Sequence, residues 1–306
     1  MNLLVLQGTL EQGLIYGLVA LALLLSYRVL DIADLTVDGS FTLGAAVSAV
    51  LTIAGHPLLG IALAPFAGML AGCATALLQT KCKIEPILAG IITMTALYSI
   101  NLMVMGNKAN LSLLRRATAF SLAQGVFGEA FGKLIFSALL ALVVGSALWL
   151  FLRTPLGLAI RATGDNRAMV EASSINPALT TLVGLALANG LVALAGAQLA
   201  QYQQFTEINT GTGMVVIGLA SLIIGEALVG KGGMGRRIAF AIGGSILYRI
   251  IIALALSANV SASNLKLVSA IIVALAISAG AIKAQLALSK QKRKAAAQYA
   301  DLGTHH

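Results

Sequence analysis

The chain has 306 residues, 58% of them hydrophobic and only 10% charged, with a formal net charge of +9. Soluble domains carry about 25% charged residues, so this composition cannot solvate a globular surface of that size and lipid must cover much of it. It leaves no room for a large soluble domain, and nucleic-acid binding is excluded too, because the basic residues lie between apolar runs and not along one amphipathic face.

Apolar runs fall at about 8–27, 40–55, 58–79, 86–105, 133–152, 178–200, 212–230, 238–257 and 265–282. A helical crossing needs roughly 20 residues at about 1.5 Å rise, and most of the runs fit. The pattern predicts an all-α polytopic membrane protein with about 8–10 transmembrane helices. The first 27 residues contain no Lys or Arg, so there is no basic region of a signal peptide and the first span is expected to be retained. The second run is short and follows DIADLTVDGS, which predicts a short, broken or re-entrant helix. Such backbone is tolerated at that depth only where protein or water covers it.

The segment Leu30–Ser40 places Asp31, Asp34 and Asp38 at the junction of the first two runs. On a helix the three would share one face. Carboxylates at membrane depth are costly and mark functional sites by default. Two readings stand: a capped helix end near the interface, with Asp38 or Ser40 as the N-cap, or a polar lining of a translocation path formed by Asp34, Thr36, Asp38 and Ser40. Asn189 and Gln198, polar residues inside a later apolar run, are added to the candidate path. Glu11 lies alone in the first span, Glu85 precedes Pro86 at a helix start, and Glu226 is isolated near the end of another span. None is assigned a proton relay.

Cys73 and Cys82 have no metal-ligand spacing and are read as apolar filler. His305 and His306 end the chain like a tag remnant. That leaves His56, beside Pro57 in a loop, so His-based catalysis is not expected, and no catalytic residue or metal site is assigned. Gly13/Gly17 and Gly68/Gly72 have the small-xxx-small spacing that lets helix backbones approach closely, most simply within the chain. Segment 106–132 is expected to be an external loop with a short amphipathic helix, and 201–213 a second external loop whose Gln, Asn and Thr residues suit a substrate entrance or an ordinary solvated turn. Gly225–Gly232 matches GxxxxGK but has Gly where Ser or Thr should hold magnesium. An apolar span precedes it where a P-loop needs a strand, so nucleotide binding is rejected.

Charge sets the orientation. With nine crossings and an outside N-terminus, the inside loops and tail hold Arg28, Lys81, Lys83, Arg153, Arg161, Arg167, Lys231, Arg236, Arg237, Lys283, Lys290, Lys292, Arg293 and Lys294. The outside holds Lys108, Arg115, Arg116, Lys133 and Lys266. Fourteen against five favours a cytoplasmic C-terminus under the positive-inside rule. Residues 286–306 are then a basic cytoplasmic tail.

The polar island 153–177, RTPLGLAIRATGDNRAMVEASSINP, then faces the cytoplasm. Leu158–Thr163 reads as a short amphipathic helix broken by Gly164. Asp165 or Asn166 caps a second helix from Arg167 to Ser174, and Asn176-Pro177 starts the next crossing. Ala168, Met169 and Ala172 share an apolar face small enough to dock into a partner's groove.

This island resembles the coupling-helix region of ATP-binding-cassette (ABC) importer permeases of the branched-chain amino acid and ribose type. Pro155, Gly157, Arg161, Ala162, Gly164, Asp165, Ile175 and Asn176 match that pattern, and Ser174 stands where the family carries glycine. DLTVDGSFTLGAA at 34–46 resembles the subgroup that works with a lipoprotein binding protein, often for tryptophan or tyrosine. The resemblance spans about residues 5–285 and implies one permease domain over 1–285. It implies a homodimer around the substrate pathway, an external or periplasmic binding lipoprotein, and a cytoplasmic ATPase dimer. The ATPase would dock on Arg161, Gly164, Asp165, Asn166, Arg167, Met169, Glu171, Ser174 and Asn176. Magnesium-ATP would be bound by the ATPase and no cofactor by this chain, and the location would be the bacterial inner membrane. The competing readings are a secondary transporter without an ATPase, an intramembrane enzyme built on the Asp cluster, and an importer of another small solute such as a sugar or nucleoside.

Overall fold

A computed structural model describes residues 3–229 and 232–257, with five isolated helical positions between 267 and 278. The predicted run 265–282 and the tail 286–306 lie largely or wholly outside the described residues. Helix α1 (Leu3–Leu23) continues through a π-helical stretch, Leu24–Val29. It is followed by α2 (Thr36–Ile53), α3 (Pro57–Thr80) and α4 (Pro86–Val104). A strand β1 (Asn110–Ser112) and a short helix α5 (Ala119–Phe127) lead to α6 (Gly132–Phe151). Two short helices, α7 (Pro155–Asp165) and α8 (Arg167–Ala172), precede the long α9 (Pro177–Gln203). Strand β2 (Phe205–Glu207), α10 (Met214–Val229) and α11 (Met234–Ser257) complete the described chain.

Seven described helices are long and apolar enough to cross a membrane, and α10 is a shorter apolar helix. Helix α1 with its π-helical end is the hub: 78% of its apolar window is buried, against 22% for α6, whose outer face is left for lipid. Pro at the first position of α3, α4, α7 and α9 suits a helix start, where no intrahelical partner is lost. Gly68 and Gly72 let α3 touch α9: an added Cβ would lie 2.3 Å from the Asn189 carbonyl oxygen and 2.3 Å from that of Leu185. Gly13 and Gly17 pack in the same way on Ile246 and Ser245 of α11, so both pairs serve packing within the chain.

The loops sort onto two ends of the bundle. At one end a cavity is lined by Asp31, Lys83, Glu85, Asp165 and Arg167, which brings loops 30–35, 81–85 and 152–176 together. We call it the basic end. At the other, β1 pairs antiparallel with β2, Leu111 opposite Thr206, and Gln201 Nε2 donates to Pro57 O at 2.8 Å. Gln7 Nε2 donates to Ala130 O, placing the start of α1 at this hairpin end as well.

Three expectations change. Helix α2 is one unbroken helix of 18 residues, preceded by a non-helical stretch in which Asp31 has φ 56°. The interrupted crossing is α10. Its Gly218 abuts Val19 and Leu23, past the midpoint of the 3–29 helix, so α10 begins part-way down the bundle. Segment 106–132 does not lie on the surface throughout: Leu113, Thr118, Ala119 and Phe120 are buried, and Thr118 caps α5 by accepting from Ser121 N.

Candidate functional site

Asp34, Thr36, Ser40 and Asn189 meet inside the bundle. Asn189 stands near the middle of α9 and is fully buried. Its Nδ2 donates to Asp34 Oδ2 at 2.6 Å and to Leu185 O at 3.0 Å, while Ser40 Oγ donates to Asn189 Oδ1 at 2.7 Å. Asp34 Oδ1 accepts from Thr36 N at 2.9 Å, and the Thr36 and Thr75 hydroxyls are 2.7 Å apart. Buried polar groups persist where every member finds a partner, and this group links α2, α3 and α9.

The three aspartates do not share a face, because residues 31–35 are not helical. Asp31 is exposed at the basic end, and Asp34, not Asp38 or Ser40, satisfies an amide at the start of α2. Asp38 caps a different helix. Its Oδ2 accepts from Gly213 N at 2.8 Å and its Oδ1 from Val215 N at 3.0 Å, so its carboxylate sits at the N-terminus of α10, where orphan amides and the helix dipole favour negative charge. Gly211 N donates to Thr42 Oγ1 at 3.0 Å, which fixes the approach to α10.

Gln198 is buried but stands apart from this group, with Nε2 lacking a partner among the described residues. Gln201, three residues on, ties the helices: Oε1 accepts from Ala119 N at 2.8 Å and Nε2 donates to Ser48 Oγ at 2.9 Å. Gln201 falls where the sequence predicts a loop whose Gln, Asn and Thr residues suit a substrate entrance or a solvated turn, but α9 runs on to Gln203 and buries it. Arg28 pairs with Glu226, which no local sequence signal marks: its Nε and one Nη donate to the two carboxylate oxygens at 2.6 and 2.7 Å. Such bidentate pairs are directional, and this one clamps the end of α1 to the end of α10. Glu11 accepts from Gln7 Nε2 and Tyr202 OH, each at 3.0 Å.

The 153–177 segment lies at the basic end. Thr154 caps α7 by accepting from Gly157 N at 3.2 Å. Gly164 does not break this helix. It lies within α7, where an added Cβ would be 2.0 Å from Val29 O, so glycine is needed for close contact with the end of α1. Asn166 ends α7 and caps α8, its Oδ1 accepting from Met169 N at 3.0 Å, and Asn176 Oδ1 caps α9 through Ala178 N at 2.9 Å. Helix α8 is six residues long, shorter than the expected 167–174. Ser174 follows it at φ 60°, a left-handed geometry that favours glycine.

Arg161 is half-buried, whereas Asp165, Asn166, Arg167, Met169, Glu171, Ser174 and Asn176 are exposed. Val170 anchors α8 inward, leaving Met169 63% exposed between Ala168 and Ala172. Arg167 and Glu171 form an exposed pair at 3.6 Å. Gly225 of the GxxxxGK match lies inside α10 against Phe240 O, and Gly230 and Lys231 of the match lie outside the described residues.

Residues 5–280 match the family model of the branched-chain amino acid transport system permease component. The chain belongs to this family. It is 34% identical over 286 residues to a tyrosine transport system permease protein of Clostridioides difficile (strain R20291), covering 93% of this chain and 94% of the relative. A ribose import permease protein of Escherichia coli (strain K12) is 26% identical over 218 residues, 70% of this chain and 66% of the relative. A solved metal-chelate-type ABC transporter in an inward-facing conformation shares the fold. It superimposes with a TM-score of 0.51 at 16% identity over 91% of this chain and 85% of that one. The chain is a multi-pass protein of the bacterial inner membrane and a permease component of an ABC importer.

Proposed function

We propose that this permease imports an aromatic amino acid, tyrosine or tryptophan, as a homodimer driven by a separate cytoplasmic ATPase pair and fed by an external binding lipoprotein. The basic end then faces the cytoplasm. The observation that carries the reading is α8, a capped helix held by one buried side chain, Val170, that turns Met169, Arg167 and Glu171 outward. Helix α7 links it to the rest of the chain through the Gly164–Val29 contact, so a push on α8 reaches the end of α1 and, through Arg28 and Glu226, α10. The partner ATPase dimer would hold the magnesium-ATP and supply the closing motion; α8, docked on it, would carry that motion to α7 and the end of α1, and the pathway would change the side it faces. A ligand biases such a switch only by contacting its two states differently. The permease itself does no bond chemistry. The tyrosine transport system relative supports the aromatic substrate, and the likeness of residues 34–46 to the subgroup signature agrees.

The test is substrate-stimulated ATP hydrolysis by the assembled complex in proteoliposomes. Glu171→Arg reverses an exposed charge and is expected to cut stimulation at least about tenfold while the permease stays folded. Unchanged coupling would sink the docking assignment. Uptake of labelled tyrosine, tryptophan and ribose by the same vesicles decides the substrate class.

A further inference from the structure

A second polar site lies where α10 is interrupted. A cavity of about 290 Å³ opens between the first turns of α2, the second half of α4 and the turn before α10. Asp38, Met94, Tyr98, Asn101, Asn209 and Thr212 line it. The turn 208–213 is non-helical and descends along α2: Ile208 packs with Ala46 and Ala49, and Gly211 touches Asp38 O. Phe41, one turn beyond Asp38, stacks on Tyr16 near the middle of the 3–29 helix, with ring centroids 6.5 Å apart. Irregular backbone at such depth, with Asn209 and Thr212 exposed, is compatible with a water-filled cavity and not with lipid. Discontinuous helices of this kind frame substrate sites in membrane carriers.

The chemistry of the lining is one-sided. Asn101 is 2% exposed, and its Nδ2 is committed to Gly39 O at 3.2 Å. That leaves Oδ1, a buried acceptor, without a partner among the described residues. The Asp38 carboxylate accepts the amides of Gly213 and Val215 and also faces that of Met214, which leaves at least one of a carboxylate's about four acceptor positions open. Among the described residues, no lysine or arginine lines the cavity. Asn101 Oδ1 thus lacks a donor, and a charged donor suits the carboxylate. Tyr98 is half exposed at the rim and offers a ring face to an aromatic group. The volume lies at the lower limit of small-ligand pockets, about 300–1,000 Å³.

We infer that this cavity is a station on the pathway that receives the primary ammonium group of an aromatic amino acid, between Asn101 Oδ1 and the Asp38 carboxylate. The identity of the ligand rests on the importer reading above. Because Asp38 also caps α10, an ammonium bound there acts on the same carboxylate that holds the start of that helix.

The experiment uses the full chain in lipid nanodiscs and three probes with one ring: L-tyrosine, tyramine, and 3-(4-hydroxyphenyl)propionate, which lacks the ammonium. Saturation-transfer NMR with competition measures weak affinities. Tyramine is expected to bind at least about tenfold more tightly than the propionate, and L-tyrosine to compete with it. Asn101→Leu should weaken tyramine about tenfold and leave the propionate unchanged, while Asn101→Asp, which keeps an acceptor, retains tyramine binding. Equal binding of tyramine and the propionate, no binding of tyramine, or tyramine binding indifferent to Asn101→Leu overturns the site. The wild-type comparison decides even if a variant fails to fold. ATP-driven tyrosine uptake by the complete complex is read separately. Uptake without ammonium selectivity in the cavity removes the site and leaves the importer. Selectivity without uptake removes the importer and leaves the site.

Discussion

The group around Asn189 and the 153–177 segment are both polar interruptions of an apolar chain, and they are built in opposite ways. Around Asn189, Asp34 and Ser40 are buried and partnered across α2 and α9, 149 and 155 residues apart in sequence. In 153–177 the hydrogen bonds are mostly local caps, three or four residues apart, and the polar side chains beyond them point outward. The first arrangement holds helices at fixed spacing and is costly to disturb. The second shapes a surface at little cost, leaving its charges free for a partner. Polarity alone does not tell these roles apart; the location of the hydrogen-bond partners does.

That contrast can be broken, starting with the largest expected effect. Asn189→Leu leaves an Asp34 oxygen and the Ser40 hydroxyl without their partner in the interior and is expected to destabilise the permease by about 2–4 kcal/mol, the cost of two buried polar groups left unsatisfied. Denaturation in a mixed-micelle titration checks it, and a loss below about 1 kcal/mol would mean that water replaces the side chain. Gly164→Val forces a side chain against Val29 O and should cost about 1–3 kcal/mol as overpacking, read as a lower melting temperature. If instead α7 simply lifts away, stability holds and only ATPase coupling falls. Ser174→Gly relieves a left-handed residue and should stabilise by about 1 kcal/mol or less. No gain would show that this turn tolerates serine without strain. Arg167→Ala removes an exposed ion pair and should change stability by less than about 0.5 kcal/mol. A larger loss in the isolated permease would move α8 into the buried class.

Most of the crossings could be read from hydropathy, because apolar residues in runs of this length have few other stable environments. The caps at Asn166 and Asn176 were readable too, since an Asn followed by helix formers or by Pro carries its own local hydrogen-bond logic. Reading Asp31, Asp34 and Asp38 as one helical face failed because spacing says nothing about where a helix starts. Residues 31–35 are not helical, and the aspartates part to the surface, to Asn189 and to the start of α10. Placing Gln201 in a loop fails for a related reason: its partners Ala119, Ser48 and Pro57 come from three distant segments. Ser174 was readable as a departure from the family pattern, but only its φ of 60° explains the glycine it replaces.

The sequence by itself determined that this chain lives in lipid, where seven of the described crossings lie, how the loops between them alternate between two ends, and to which family it belongs. These follow from local composition, charge placement and short motifs. The tertiary structure decided that α2 is whole and α10 interrupted, that Asp38 caps a helix 175 residues away, and that Asn101, whose buried carbonyl oxygen has no partner among the described residues, belongs to the lining of a cavity beside it. The physical reason is that a buried polar group is defined by its partner. In a helical membrane protein that partner usually comes from another helix, chosen by packing and not by neighbours in the chain.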